Sequence, residues 1–295
     1  MQFGVALPNY GPTHLPESML QVARAAESAG YSSVWTSDHI LVPQRFGLVF
    51  GRTLEPLVAL GYLAGLTQKV TLGTSVVILP QRDPILVAKQ VAAIDQLSGG
   101  RVILGIGVGW MEEQYRFFRT DFKRRGRMAD EWIAVIRSLW KEDPSAFHGE
   151  WIHYEDAYFQ PKPLQPGGPP IHIGGASDAA LRRAATLGDG WHASGLRLEE
   201  FKDKVTKLRA WAGERSVTIS LRGYVAIGDA SAAYRDNSDV LIGGPPSAFV
   251  DRLSEYAEAG MDHFVCGFAY QTLIDLLAQL ETFAAHVIPA FQKQS

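Results

Sequence analysis

Asp38 and His39 stand side by side directly after the strand-like run Val34-Trp35. A histidine placed there can donate to or accept from a ring or substrate near neutral pH, or it can simply cap and buttress the loop. Gly174-Gly175-Ala176-Ser177 joins another apolar run directly to a helical segment. Its glycines permit close backbone approach, and free amides at a helix start can hold a phosphate. A tight strand-to-helix turn asks for the same residues. Ile242-Gly243-Gly244 before Pro245 is a second such turn, read as a plain helix start. The run Lys123-Arg124-Arg125-Gly126-Arg127 reads as a solvated basic face, although it opens the helix after the fourth strand, near the predicted site.

The elements that must position these residues alternate from end to end. Phe3 to Pro8, Val34-Trp35, Val70 to Leu79, Arg101 to Gly107, Pro170 to Gly174, Gly190 to Ala193, Ser216 to Ile227 and Asp262 to Gly267 read as strands. Most are continuously apolar, as parallel strands covered on both faces are. Between them lie helical segments with their own punctuation. Asp83-Pro84 offers an N-cap with proline at the first helical position, and Ser98-Gly99-Gly100 ends that helix. Ser177 or Asp178 caps another. Glu27-Ser28-Ala29-Gly30 and Glu258-Ala259-Gly260 each read as a helix ending in a left-handed glycine and feeding a strand. Eight such units in one chain fit a closed (β/α)8 TIM barrel better than an open sheet, which more often shows G-x-G-x-x-G after its first strand. Here Pro8-Asn9-Tyr10-Gly11 stands there instead. Residues 1–295 read as a single domain, with a hairpin inserted near 145–168 between the fourth helix and the fifth strand.

In such a barrel the reacting groups sit at the C-terminal ends of strands. Those ends carry Asn9-Tyr10, Asp38-His39, Ser75-Val76, Gly107 to Trp110, Gly174 to Ser177, His192 to Ser194 and Cys266 to Phe268. A binuclear metal hydrolase would place His-x-His on the first strand, which has none. A Schiff-base aldolase needs a lysine inside the barrel, and Lys69 and Lys89 lie elsewhere. A retaining glycosidase needs paired carboxylates at strand ends, and only Asp38 qualifies. Glycines, small hydroxyls, one Asp-His pair and aromatics remain, a set suited to a flat ring and a phosphate. Tyr10, Trp110, His192 and Tyr270 suggest a partly aromatic pocket.

Composition agrees with a soluble, cytoplasmic protein. The 46% apolar and 20% charged residues are a globular mix, and a net charge of −3 gives no reason to expect nucleic acid or a membrane. A single cysteine, Cys266, excludes an intramolecular disulfide and a cysteine-rich metal site, and no metal is expected. The chain enters structure at Phe3, which leaves no room for a signal peptide.

Three motifs in succession, Val34-Trp35-Thr36-Ser37-Asp38-His39, Leu72-Gly73-Thr74-Ser75-Val76 and Gly100 to Trp110, resemble those of the luciferase-like monooxygenase family. Arg127 to Glu131, Pro161-Lys162-Pro163, Ile173-Gly174-Gly175 and Leu187 to Trp191 continue the match in order, over roughly residues 1 to 270. The chain looks most like the coenzyme F420-dependent oxidoreductases of that family. The resemblance implies a (β/α)8 barrel, usually dimeric, with the cofactor ring against a bulge in the third strand. In relatives the bulge holds a non-prolyl cis peptide, matched here by Ser75-Val76. His39 matches a histidine near the reactive carbon, and Asp38 its acidic neighbour, which would orient it or contact the ring. Val108, Gly109 and Trp110 match the turn lining the ring. Gly174 and Gly175, with Ala176 and Ser177 opening the helix, match a phosphate turn, and Arg127 resembles a phosphate-holding arginine of the luciferases. The sugar-phosphate dehydrogenases of the family have a glutamate where Trp110 stands and a tryptophan near Pro43, so neither their substrate nor their acid carries over.

The function implied is hydride transfer between F420 and a small organic substrate, with His39 giving or taking the proton. The alternatives are an FMN-dependent monooxygenase fed by a separate reductase, and a flavin-binding protein without turnover. If the basic segment from Arg119 to Arg127 faces the mouth, its charges would neutralise the acidic tail and phosphate of F420.

Overall fold

The apolar runs do form strands, and their backbone groups are satisfied by closing on one another. The structure is a computed structural model that describes residues 1–11, 13–234 and 240–292. In chain order the strands are β1 (Gln2–Ala6), β2 (Ser33–Thr36), β3 (Thr71–Thr74), β4 (Val77–Ile78), β5 (Val102–Gly107), β6 (Ser145–His148), β7 (His153–Ala157), β8 (Ile171–Gly174), β9 (Gly190–Ser194), β10 (Thr218–Ile227), β11 (Val240–Gly244) and β12 (His263–Phe268). The helices are α1 (Pro16–Ser28), α2 (Gly47–Phe50), α3 (Pro56–Ala64), α4 (Pro84–Ser98), α5 (Glu112–Phe117), α6 (Arg125–Lys141), α7 (Asp178–Thr186), α8 (Leu198–Ala212), α9 (Pro246–Glu258), α10 (Leu273–His286) and α11 (Ile288–Gln292).

Parallel pairing runs β1-β2-β3-β5-β8-β9-β10-β12 and returns to β1, so the ring of eight closes as a TIM barrel. The expected helix signals are used. Asp83 caps α4 by accepting from Leu86 N at 2.9 Å, and Gly99 ends it at φ 72°. Ser177, rather than Asp178, caps α7. Gly30 and Gly260 both have positive φ, where any other residue would be strained. The inserted hairpin is β6-β7, held by Glu131 of α6, which accepts from the amides of Glu150, Trp151 and Ile152.

Two segments depart from the expectation. Val70 to Leu79 is not one strand but β3 and β4, interrupted by a bulge. Ile242-Gly243-Gly244 is not a plain helix start but the end of β11, which pairs in parallel with β10 at Val225, Ala226 and Ile227. β10 has ten residues, so it outruns the neighbours that close the barrel, and its last bonding groups are free to take another strand. The segment Leu273–Gln292 is apolar enough in composition to cross a membrane, yet its Leu276, Leu280 and Phe283 are buried in the core.

The barrel interior is filled largely by aromatic and imidazole rings. Trp35 lies across it, stacked on His192 at 4.8 Å and edge-on to His263 at 5.7 Å. Glycines opposite make the room: a Cβ on Gly73 would strike the Trp35 ring, and one on Gly190 would strike His172. Ser33 accepts from Trp35 Nε1 at 2.7 Å and bonds His263 Nε2 at 2.9 Å, and Ser220 bonds His192 Nδ1 at 2.8 Å. His192 therefore belongs to the interior, beneath Ser75, and not to the aromatic wall expected of it.

Burial disfavours the charged form of all three histidines. It pushes His172 down to about 4 and His263 to about 3, and takes His192 well below its ordinary value. In the unfolded chain these rings titrate near 6.5, so on acidification the unfolded state gains protons first. The stability they contribute is complete above pH ~6.5 and is lost as the pH falls toward their folded values. Each costs up to about 1.4 kcal/mol per pH unit in that window. Urea midpoints at pH 7, 6 and 5 should fall steeply; a midpoint unchanged to pH 5 would mean that these rings are solvated.

Candidate active site

The cavity at the barrel's C-terminal mouth is built on the bulge in the third strand. Gly73 pairs with Ile103 and Val77 with Ile106, so three residues, Thr74 to Val76, face two. The Ser75-Val76 peptide is cis, as the resemblance implies. Three glycines of the neighbouring strands form a socket for the Val76 side chain. A Cβ on Gly107 would lie 2.7 Å from Val76 Cγ2, and one on Gly174 3.0 Å from Val76 Cγ1. A Cβ on Gly105 would run into the Thr74 carbonyl. The glycines of Leu104-Gly105-Ile106-Gly107 and Ile173-Gly174 are thus steric requirements of the bulge.

Around this wall lies a cavity of about 370 Å³. Of the twelve residues expected at the site, all but Ala176 and Arg127 line it: Asp38 and His39, Ser75 and Val76, Val108 to Trp110, and Gly174, Gly175 and Ser177. Trp110 is 60% exposed and packs edge-on against Phe46, with Phe50 beyond, as an aromatic rim. Trp191 Nε1 donates to Gly175 O at 2.7 Å and so fixes the phosphate-type turn.

Asp38 and His39 do not act on each other by a hydrogen bond. Asp38 is held by Arg82 at 2.8 Å and accepts from Ile78 N at 2.9 Å, just beyond the bulge. Arg82 also takes Glu55, the N-cap of α3, at 2.7 Å. The expected orienting partner of His39 is therefore replaced by Gln114 of α5, whose Nε2 lies 3.1 Å from His39 Nδ1 and also donates to Leu41 O. This contact, with the Gln114 bond to Leu41, holds the His39 ring in place. Burial lowers the His39 pKa, outweighing the Asp38 charge and the Gln114 bond that raise it.

The basic segment is engaged by the inserted hairpin and by a neighbouring ring. Arg124 and Arg127 both pair with Glu150 of the hairpin turn and lie over the Trp151 ring, while Arg125 covers Phe122 at 3.7 Å. None of Arg119, Lys123, Arg124, Arg125 and Arg127 lines the cavity. The hairpin supplies a carboxylate and a ring that sequence distance alone could not place.

The cation that does reach the cavity is Arg222 of β10, a residue not foreseen. Its Nη1 donates to Ser37 Oγ at 2.8 Å and Ser75 O at 3.2 Å, and its Nη2 to Tyr10 OH at 3.0 Å. Tyr10 and Tyr224 hydroxyls lie 3.1 Å apart beside it. Burial would raise the Tyr10 pKa, but the Arg222 charge and the bonds from Tyr224, Arg222 and Ser37 outweigh it, and the net direction is downward. A lone arginine within the strand Thr218 to Ile227 was the available signal, since a charge in a buried parallel strand needs a reason.

Residues 1–267 match the luciferase-like monooxygenase family, and the chain belongs to it. A protein of Mycobacterium tuberculosis with no assigned activity is 35% identical over 244 residues, 76% of this chain and 84% of its own. The FMNH2-dependent dimethylsulfone monooxygenase of Pseudomonas putida is 31% identical over 183 residues, 60% of this chain and 50% of that protein. The solved coenzyme F420-dependent tetrahydromethanopterin reductase of Methanopyrus kandleri shares the fold with a TM-score of 0.82 at 18% identity, covering 98% of this chain and 99% of that one.

The socket makes a direct prediction. Gly107→Ala should cost about 1–3 kcal/mol, the usual range for overpacking, and weaken whatever binds at the bulge. Adding Val76→Ala to the same chain should restore much of that stability, because it removes the Val76 methyl that the added Cβ would meet. Denaturant titrations of the two single variants and the double variant measure the coupling; simple additivity would mean that Val76 does not occupy the socket.

Proposed function

We propose that this chain is an F420-dependent oxidoreductase that moves a hydride between the deazaflavin and a small organic substrate. The observation that carries the reading is the socketed bulge, whose Ser75 and Val76 line one cavity with His39. The donor set suits such a group. Val76 and the backbone of Val108-Gly109 offer a face for a ring, and Gly174, Gly175 and Ser177 offer amides and a hydroxyl for a phosphate. When bound, F420 supplies the hydride chemistry. The chain's own part is to position, to exclude water and to handle one proton. His39 handles that proton as an imidazolium–imidazole pair: the imidazolium gives it to the substrate oxygen and is left neutral, and in the reverse direction the neutral ring takes it back. Asp38, which also lines the cavity, ties the segment after the bulge to Arg82 and through it to α3. The family resemblance and the whole-length likeness to the F420-dependent reductase support this choice.

A second reading, an FMN-dependent monooxygenase supplied by a separate reductase, is favoured by one observation. Arg124 and Arg127 are paired with Glu150 and neither lines the cavity, so the cations expected for an acidic cofactor tail are already engaged. The FMNH2-dependent relative supports it too. Fluorescence titration with F420 and FMN separates the two; tight FMN binding with no F420 affinity would establish the second.

His39→Ala should fold normally and lower turnover by about 10²-fold or more. The wild-type rate profile should inflect below pH ~6.5, since burial lowers the His39 pKa. Unchanged turnover in the variant would reduce His39 to a loop residue. We also propose a homodimer through α3 and α4, where Val58, Tyr62, Leu86 and Leu97 are exposed. Light scattering at micromolar concentration should give twice the chain mass, and Val58→Glu should reduce it to one.

A further inference from the structure

Arg222 is only 7% exposed, yet no salt bridge neutralises it among the described residues. Two other enclosed arginines are treated differently. Arg82 holds two carboxylates, Asp38 and Glu55, and the buried Arg183 holds Asp130. Among the described residues Arg222 has only neutral acceptors: the hydroxyls of Ser37, Ser75 and Tyr10 and the Ser75 carbonyl. Its Nε is buried and has no partner among the described residues. A guanidinium removed from water without an anion is costly, and a fold keeps one where a ligand brings the missing charge.

The position of Arg222 indicates what the ligand looks like. Together with Tyr10, Phe50 and Tyr224 it forms the wall shared by the ring cavity and a second cavity of about 390 Å³. That second cavity runs over the ends of β1 and β12 and is lined by Leu7, Val49 and Phe268 as well as by tyrosines. It is an apolar chamber with one fixed positive charge, where it meets the ring cavity.

We propose that this second cavity takes an organic anion, its apolar body against Leu7, Phe50 and Phe268 and its carboxylate or sulfonate on Arg222 and the paired Tyr10 and Tyr224 hydroxyls. This names the substrate class for the function proposed above and rests on that reading for its catalytic meaning. The anion anchors one end of the substrate at the boundary, and the remainder is held for reaction beside the ring cavity. The lowered pKa of Tyr10 agrees with a field that is positive at this point.

The test uses purified wild-type protein and calorimetry, first without cofactor and again with F420 or FMN present. Hexanoate and hexanesulfonate should each bind at least about 10-fold more tightly than hexanamide or hexanol, as a charge-assisted hydrogen bond implies. Acetate and inorganic phosphate, which lack the apolar body, should bind more weakly than the hexyl anions. Arg222→Met should abolish the preference for anions, and Tyr10→Phe should weaken it while leaving Arg222 in place. The wild-type comparison of anion with amide decides the question even if Arg222→Met does not fold. Equal affinity for hexanamide and hexanoate overturns the assignment. So does a preference that disappears once cofactor is bound, because the ring itself would then neutralise Arg222. Failure of both cofactors to bind, with the anion preference intact, would instead overturn the ring reading and leave the anion site standing.

Discussion

The seating of Val76 among Gly105, Gly107 and Gly174 is the constraint on which the upper half of this barrel depends. One extra residue in the third strand has to go somewhere, and it can be accommodated only because the fourth and fifth barrel strands carry no Cβ at the points of approach. The bulge stops β3, restarts pairing at β4 and turns a stretch of backbone toward the mouth. The wall of the cavity is thus an outcome of packing, made before any ligand arrives. Any residue larger than glycine at these points would push on β-branched side chain or backbone, neither of which can swing aside.

Charges are then distributed around that wall so that each rests on a defined partner. Asp38, Arg82 and Glu55 join the end of β2, the segment after the bulge and the start of α3 in one chain of ion pairs. Such a pair gains little net stability over an apolar substitute, but breaking it leaves a buried charge without a partner, so it specifies the arrangement. Gln114 does for His39 what Asp38 was expected to do, and does so without adding charge. Beneath them the interior histidines are held neutral by burial, and His192 and His263 are bonded to serines. Arg222 stands outside this pattern, and the contrast gives it meaning.

The chain by itself determined the architecture and most of the wall. Apolar runs of strand length, caps such as Asp83 and left-handed glycines such as Gly30 and Gly260 are local signals, set by hydrophobic period and backbone freedom within a few residues. They were enough for eight barrel strands in the right order and for the inserted hairpin. The motif residues Asp38, His39, Ser75, Val76, Val108 to Trp110 and Gly174-Gly175 were legible for a related reason: each lies at a strand end, and in a parallel barrel all strand ends converge. What only the tertiary structure decided was which side chain answers which. Gln114 reaches His39 across 75 positions, Arg82 reaches Asp38 across 44, and Glu150 takes both Arg124 and Arg127. The length of β10 likewise recruited β11 where a helix start was expected. These pairings join residues far apart in the chain, and electrostatic and steric complementarity between them exists only once the barrel has closed. Local patterning could therefore place the strand ends, but the charges and hydroxyls between them were assigned by folding.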